Sequence, residues 1–324
     1  MCTALCFRQQ DTYFGRNLDV DFSFCEKVVV TPRQFAFPLP NGKKIVTRYA
    51  LIGTAAVFQN IPMYYEATNE VGLSIAGLNF PDNAVYLEPK KDFLNLPPFA
   101  LIPYLLGKAA NVQEARELLQ NVRLTNVAFR KDLPLSPLHY LLSDAKESIV
   151  LEPMADGLKI YDNPYDVLTN NPPFPYHHWN MQNYMHLSKE NATNHFSAQY
   201  DLKPYGVGMG SIGLPGDTSS ASRFVRAAFH LTNSACKDVE EENVAQFFHV
   251  LDSVAMVKGS TMTKGNGHDI TLYSCCCNVQ KGIYYYKTYL NNQINAVQLH
   301  HTDLNAKELT IYPLRLEQNV FYEN

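Results

Sequence analysis

The sequence lacks a long apolar run, an excess of positive charge and an even set of cysteines. No stretch reaches about 18 uninterrupted apolar residues, which excludes a transmembrane helix. The 324 residues carry 27 lysines and arginines against 31 aspartates and glutamates, a formal net charge of −4. An acidic chain without a basic run is not expected to bind nucleic acid or to insert stably into a membrane. Hydrophobic residues make up 46%, which is typical of a globular protein.

The seven cysteines, three of them adjacent at Cys275, Cys276 and Cys277, do not indicate a disulfide framework. Adjacent residues of a strand point to opposite faces, so these three thiols cannot all bind one metal ion. We expect reduced thiols, no metal and no organic cofactor. The N-terminus has neither the basic segment nor the apolar run of a signal peptide, so we expect a cytoplasmic protein.

The order of predicted elements favours an α+β fold. Short apolar runs, interrupted by glycine, proline and asparagine, predict strands over the first eighty residues, a hairpin within 148–161 and further strands over 270–299. Helical patterns begin at 97–98 and at Val112, a serine pair at 219–220 caps another helix, and a fourth spans about 240–257. Residues 163–217 are predicted mainly as loops. Strands in blocks favour antiparallel sheets with helices outside them, and we expect one domain over residues 1–324.

Two motifs that often carry function are weak in this chain. Residues 208–213 match the glycine pattern of dinucleotide-binding loops, but the flanking Pro204 and Pro215 do not fit the strand and helix which that motif requires. We therefore interpret these residues as part of a glycine-rich active-site loop. The histidine pairs at 177–178 and 300–301 are adjacent, so they lack the spacing of two metal ligands on one helical face.

Cys2 is the strongest candidate for a catalytic residue. Because the second residue is small, we expect Met1 to be removed, which would leave one residue with both a thiol nucleophile and an α-amine base. Arg16 and Asp19 follow one predicted hairpin later. A guanidinium near a thiol favours the thiolate, and a carboxylate can orient the ammonium group. An incidental cysteine and a surface ion pair are the alternatives.

Several motifs together resemble the choloylglycine hydrolase family, which contains bile salt hydrolases of gut bacteria and penicillin V acylases. The resemblance covers essentially the whole chain. It rests on Met-Cys-Thr at 1–3, Phe-Gly-Arg-Asn-Leu-Asp at 14–19, Ala-Gly-Leu-Asn-Phe at 76–80, Leu-Thr-Asn-Asn-Pro at 168–172, Gly-Leu-Pro-Gly-Asp at 213–217, Ser-Arg-Phe-Val-Arg at 222–226 and Lys-Gly-Ile-Tyr-Tyr-Tyr at 281–286.

The resemblance implies the N-terminal nucleophile hydrolase fold, a four-layer αββα sandwich of two antiparallel sheets. It implies that Cys2 is the nucleophile with its own α-amine as base, that Arg16 tunes the thiol and that Asp19 holds the amine. It further implies three supporting roles: Asn79 and Asn171 would stabilise the oxyanion, and Arg223 would support the site electrostatically. Asparagine at position 79, where penicillin V acylases typically carry tyrosine, favours a bile salt hydrolase.

The resemblance also implies a substrate and an assembly. The expected substrates are glycine- and taurine-conjugated bile acids, with a penicillin V acylase-type amidase or a catalytically silent binding protein as alternatives, and the expected assembly is a homotetramer. Apolar residues from loop-like segments would bind the steroid: Leu18, Phe24, Phe58, Tyr65, Phe129, Leu133 and Leu138. The small residues at 206–208, where some relatives carry Ser-Arg, predict a lean toward taurine conjugates.

Overall fold

The chain folds into blocks of strands separated by helices, as seen in a computed structural model that describes residues 1–40, 42–130, 132–237 and 239–324. The strands are β1 Cys2–Arg8, β2 Thr12–Val20, β3 Lys27–Thr31, β4 Ala36–Pro38, β5 Lys44–Val46, β6 Leu51–Phe58, β7 Ile61–Asn69, β8 Ser74–Asn79, β9 Leu94–Leu96, β10 Val122–Leu124, β11 Leu138–Ser143, β12 Ser148–Met154, β13 Gly157–Asp162, β14 Val167–Leu168, β15 Ile270–Asn278, β16 Ile283–Thr288, β17 Asn291–Gln298 and β18 Thr310–Pro313. The α-helices are α1 Leu101–Lys108, α2 Val112–Leu119, α3 Phe174–Asn180, α4 Ser220–Thr232 and α5 Glu240–Asp252.

Two large antiparallel sheets form the centre of the molecule. Over the described residues, one sheet has the strand order β14-β1-β2-β15-β16-β17, and the other has the order β13-β12-β11-β8-β7-β6-β3-β18. The sheets face each other, because β1 and β2 of the first contact β8 of the second. Helices α4 and α5 pack on the outer side of the first sheet, and α1 packs on the outer side of the second. The predicted four-layer αββα sandwich is therefore confirmed.

Most predicted elements occur where the sequence pattern indicated. Both helices predicted from 97–98 and from Val112 form, although α1 itself begins at Leu101 after a short 3-10 turn. The side chain of Ser219 accepts a hydrogen bond from the backbone N–H of Ser222, which caps α4 as expected. Two details differ: α5 ends at Asp252, and α3 forms inside the segment predicted mainly as loops. Pro173 is the N-cap residue of α3, and Pro175 lies in its first turn, where a proline does not interrupt the helical hydrogen bonds.

The hairpin of β1 and β2 determines which side chains meet near the N-terminus. Cys2 lies opposite Leu18, and Ala4 lies opposite Arg16. Residues directly opposite each other in antiparallel strands share one face of the sheet, and the next residues along each strand point to the other face. The side chains of Cys2, Arg16 and Leu18 therefore face the second sheet, whereas the side chain of Asp19 faces the helices.

Candidate active site

The Cys2 side chain lies between the two sheets, in the same layer as Arg16. Cys2 is 2% exposed and Arg16 is fully buried. Arg16 Nη1 donates to the backbone carbonyls of Tyr65 and Gly77, which belong to the opposite sheet. Burial opposes the charge of Arg16, but the negative forms of Cys2, Tyr273 and Glu66 together raise its pKa above the ordinary value. A fixed guanidinium in this layer favours the thiolate form of a nearby thiol.

A buried carboxylate behind Arg16 was not identified from the sequence. Glu66 Oε2 lies 3.9 Å from Arg16 Nε, and Glu66 is 1% exposed. The hydroxyls of Tyr273 and Tyr284 each donate to this carboxylate at 2.6 Å, and the backbone N–H of Thr54 donates at 3.0 Å. Burial raises the pKa of Glu66, while Arg16 and the donors oppose that shift. Glu66 therefore offsets the buried charge of Arg16 and limits its movement.

On the other face of the first sheet, Arg223 holds the backbone beside the thiol. Arg223 lies on α4 and is fully buried. Its Nη1 donates to the backbone carbonyl of Cys2 and to Thr3 Oγ1, both at 2.6 Å. Burial lowers the pKa of Arg223, and the negative charges of Asp19 and Cys2 oppose that shift. Arg223, in the helix layer, thus fixes the backbone of Cys2.

Asn170, the neighbour of Asn171, contacts Cys2. Asn170 Oδ1 accepts the backbone N–H of Cys2 at 2.8 Å and Nη2 of Arg223 at 2.7 Å, while Asn170 Nδ2 donates to the carbonyl of Asn79 at 2.7 Å. The side-chain amide of Asn171 instead donates to the carbonyl of Pro81. The motif Leu-Thr-Asn-Asn-Pro contains both asparagines, so the predicted segment contacts Cys2, and the expected oxyanion role of Asn171 stays a prediction.

Two buried histidines support the segment that carries Asn170. His139 Nε2 lies 2.8 Å from the carbonyl of Thr169, and His139 Nδ1 lies 3.2 Å from Glu152. His177 Nε2 lies 3.0 Å from the carbonyl of Asn170. Burial lowers the pKa of His177 to about 4, so its ring is neutral at neutral pH and donates this hydrogen bond.

The N-terminal amine and two carboxylates meet at the helix-facing side of β2. Asp19 is fully buried, its Oδ1 accepts the hydroxyl of Thr271 at 2.6 Å, and burial raises its pKa. With Met1 present, the terminal ammonium donates to the backbone carbonyl of Asp19 at 2.6 Å. It also lies 3.1 and 3.3 Å from the two carboxylate oxygens of Asp269, which sequence reasoning did not identify.

Three predicted pocket residues lie beside these groups. Leu18 lies opposite Cys2 in the β1–β2 hairpin. Tyr65 provides one of the carbonyls that bind Arg16. Leu138 begins β11 and pairs with the last residue of β8, which is Asn79.

Two further predicted pocket residues, Phe24 and Phe58, form an aromatic rim that is partly exposed. The rings of Phe24 and Phe58 meet edge to face at 6.5 Å, and Phe24 is 45% exposed. The guanidinium of Arg130 lies 5.5 Å from the Phe58 ring centre. The neighbouring Phe129 instead packs edge to face on Phe99, with the ring centres 5.4 Å apart. The backbone N–H of Leu133 donates to the carbonyl of Arg130 at 3.2 Å.

The glycine-rich loop at 205–210 is a protruding surface feature. Tyr205 is 90% exposed and Val207 is 96% exposed. The loop is tied to Asn191, which donates to the carbonyl of Gly206 at 3.1 Å and accepts the N–H of Met209. Among the described residues, no hydrogen bond joins this loop to Cys2.

Within the described part of the chain, no helix has the length and hydropathy needed to cross a bilayer. In the same residues, no group of three or more His, Cys, Asp or Glu side chains is arranged to hold a metal ion.

Comparison with known proteins shows which family this chain matches. Residues 2–312 match the family model described as linear amide C–N hydrolases, choloylglycine hydrolase family. The chain is 47% identical to the bile salt hydrolase/transferase of Lactiplantibacillus plantarum over the full length of both proteins. It is 36% identical to the bile salt hydrolase/transferase of Clostridium perfringens over 96% of each chain. Crystal structures of conjugated bile acid hydrolase variants from Clostridium perfringens superpose with a TM-score of 0.92 at 34% identity over 100% of both chains.

The likeness extends to a more distant fold relative. A penicillin V acylase from Agrobacterium tumefaciens superposes with a TM-score of 0.78 at 20% identity, over 99% of this chain and 94% of that one. At this identity the match shows a shared fold only.

The buried His177 predicts a pH-dependent contribution to stability. Its pKa is about 4 in the folded chain and about 6.5 when exposed, so between these values the unfolded state binds more protons. The contribution of neutral His177 to the free energy of unfolding is fully present above about pH 6.5 and is lost as the pH falls toward 4. The substitution His177→Gln, which keeps an N–H donor, should flatten the pH dependence of the free energy of unfolding in this window, by an amount on the order of 3 kcal/mol.

Urea denaturation between pH 4 and pH 7 measures this effect. His178→Gln is the matched control, because His178 is the exposed neighbour of His177. Parallel curves for the wild type and His177→Gln would contradict the prediction.

Proposed function

Because the chain belongs to the choloylglycine hydrolase family of linear amide C–N hydrolases, we propose that it hydrolyses the amide bond joining a bile acid to glycine or taurine. The observation that carries this proposal is the buried Cys2 of β1, with Arg16 on its thiol side and Arg223 with Asn170 on its backbone side. The names of the relatives from Lactiplantibacillus plantarum and Clostridium perfringens supply the substrate class.

The reaction begins with maturation. Removal of Met1 converts the backbone N–H of Cys2 into an α-amine, which stays within reach of Asn170 Oδ1. This amine takes the thiol proton, and the thiolate attacks the amide carbonyl of the substrate. The amine then transfers its proton to the departing glycine or taurine, which leaves a thioester on Cys2. A water molecule, deprotonated by the same amine, attacks the thioester and releases the free bile acid.

Asparagine side chains stabilise the negative oxygen of each tetrahedral intermediate. Asn79 ends β8, its side chain is exposed at the mouth of the site, and its backbone carbonyl is bound by Asn170. One N–H of Asn170 is used in that bond, and the other is available to an oxyanion. Asn170 therefore takes the role that the family resemblance assigned to Asn171, because the Asn171 amide donates to Pro81 instead.

Charged side chains set the electrostatics of the reaction. Arg16 stabilises the thiolate of Cys2 from the inter-sheet side. Asp19, on the opposite face of β2, attracts the α-ammonium that forms when the thiol is deprotonated. Arg223 fixes the Cys2 carbonyl and balances the charge of Asp19. Proton transfer between the thiol and the amine thus occurs between the positive charge of Arg16 and the negative charge of Asp19.

The aromatic rim suits a steroid. Phe24 and Phe58 present partly exposed rings, and Leu18 and Tyr65 continue this apolar surface toward Cys2. A rigid apolar steroid binds such a surface through burial of nonpolar area. A penicillin V acylase-type amidase is the second candidate, and Asn79 in place of tyrosine disfavours it.

The nucleophile and the maturation step are tested together. Cys2→Ala should abolish release of glycine and taurine from glycocholate and taurocholate, and Cys2→Ser should retain little activity because a hydroxyl is the weaker nucleophile near neutral pH. Intact-mass analysis of the active wild type should show loss of Met1. Penicillin V is assayed in parallel, and Cys25→Ala, at an exposed thiol, is the control. Full activity with Met1 attached, or wild-type rates in Cys2→Ala, would refute the mechanism.

The two adjacent asparagines give a second test. Asn170→Ala removes the contacts with Cys2, Arg223 and Asn79, so kcat/KM should fall by about 10² to 10³. Asn171→Ala removes only the bond to Pro81 and should cost much less. Steady-state kinetics with taurocholate measure both variants, with thermal unfolding as the control for folding. The opposite ranking would return the role to Asn171.

The exposed loop supports the expected homotetramer. Within residues 185–207, Met185, Phe196, Tyr205 and Val207 are each more than 80% exposed, and large exposed apolar side chains are a feature of protein interfaces. Sedimentation analysis should show a tetramer, and Val207→Asp should shift the protein to smaller species. Val71→Asp, at an exposed valine in another turn, is the control. A wild-type monomer would contradict the proposal.

The lean toward taurine conjugates stays a prediction that depends on the residues at 206–208 of this loop.

A further inference from the structure

An extra residue in β7 turns the side chain of Tyr65 toward the layer between the two sheets. In the pairing of β6 with β7, the consecutive residues 54 and 55 lie opposite Glu66 and Tyr64, so Tyr65 is inserted between them as a β-bulge. In a regular strand, residues 64 and 66 would share one face. Here Tyr64 packs in the cluster that contains α1, whereas Glu66 bonds to hydroxyls of the first sheet. The bulge thus adds Tyr65 to the side on which Cys2 lies.

Tyr65 connects the layer of Cys2 with the aromatic rim. Its ring packs against the apolar cluster that contains Cys2 and Leu18. Its hydroxyl lies 3.3 Å from Oε1 of Glu26, and the same oxygen accepts the backbone N–H of Phe24 at 2.9 Å. A rigid ligand that extends from Cys2 to the rim therefore passes the Tyr65–Glu26 pair.

The Tyr65–Glu26 pair is a polar contact among the apolar side chains on this path. Glu26 is 8% exposed, and its Oε2 accepts the hydroxyl of Ser23. Burial and the carboxylate of Glu26 raise the pKa of Tyr65 well above its ordinary value, so the phenol keeps its proton and acts as a donor. The carboxylate of Glu26 acts as an acceptor. The pair therefore offers one donor and one acceptor at the same place.

The bond between Tyr65 and Glu26 is long enough to be replaced. Hydrogen bonds from a hydroxyl to an oxygen usually measure about 2.5 to 3.0 Å, and the 3.3 Å between these two side chains exceeds that range. A hydroxyl group placed between them can accept from Tyr65 and donate to Glu26. One long bond is then replaced by two, and the one to the carboxylate is of the stronger, charge-assisted kind.

We propose that Tyr65 and Glu26 bind a ring hydroxyl of the steroid and thereby make the enzyme prefer hydroxylated bile acids. The hydroxyl accepts a hydrogen bond from Tyr65 and donates one to Glu26. This proposal rests on the proposed function, because it assigns a contact to one part of the expected substrate. A steroid without ring hydroxyls excludes water from the pair and supplies no hydrogen bond in return, so it binds less well.

The test compares two substrates that differ only in their ring hydroxyls. Taurocholate carries such hydroxyls, and the taurine conjugate of cholanic acid carries none. The wild type should have the larger kcat/KM for taurocholate. Tyr65→Phe and Glu26→Gln should each lower the ratio of the two kcat/KM values by about tenfold. The contact is made in the bound substrate and in the transition state, so the change should appear in KM for taurocholate and leave kcat nearly constant.

Tyr64→Phe is the matched control. Tyr64 is the adjacent tyrosine of the same strand, but its hydroxyl bonds to Thr31 at 2.8 Å and its ring packs on the helix side. This variant should leave the ratio unchanged. Both substrates are measured on the same preparation, so a partly unfolded variant lowers both values by one factor and does not alter their ratio.

Two results would overturn the proposal. If Tyr65→Phe retains the wild-type ratio, the pair binds no hydroxyl and only holds the rim in place. If the wild type cleaves both conjugates with equal kcat/KM, the site does not select hydroxylated steroids. Failure of the wild type to cleave either conjugate would instead overturn the proposed function, which is a different result.

Discussion

The alternation of side chains along the β1–β2 hairpin is the constraint on which the whole site depends. Cys2, Arg16 and Leu18 face the opposite sheet, whereas Thr3 and Asp19 face the helices. In the proposed mechanism the thiol and the α-amine of Cys2 become opposite charges, so each needs a neighbouring group of the other sign. The pleat supplies this separation, because it places the guanidinium of Arg16 and the carboxylate of Asp19 on opposite faces of one strand.

Burial of these charges requires further partners, and the fold provides them from distant segments. Arg16 is offset by Glu66, whose carboxylate is held by two tyrosine hydroxyls from the facing sheet. Arg223 binds the Cys2 carbonyl and lies within the electrostatic influence of Asp19. Buried charges without such partners carry a large desolvation cost. The same partners that make burial tolerable also fix the position of Cys2.

Asn170 joins these two halves of the site. Its side chain contacts the backbone of Cys2, the guanidinium of Arg223 and the end of β8, and its own backbone is supported by His177 and by Ser220 at the start of α4. A shift of one residue along this segment would direct the amide toward Pro81, as seen for Asn171. Positioning by several rigid elements is what a preorganised oxyanion site requires.

The sequence by itself determined the blockwise order of strands and helices, the fold class, the family motifs and the segments that form the site. These properties depend on local periodicity, on caps and on short motifs, all of which are written in neighbouring residues. Helix α3 was missed because a proline- and aromatic-rich stretch carries little helical periodicity.

Only the tertiary structure decided which of two adjacent asparagines contacts Cys2, and only it revealed Glu66 and Asp269. Glu66 is 50 positions from Arg16 along the chain and Asp269 is 267 positions from Cys2, so no local pattern relates these pairs. Their roles arise from sheet packing and from the register of β15 against β2, because these long-range contacts determine which buried charges meet.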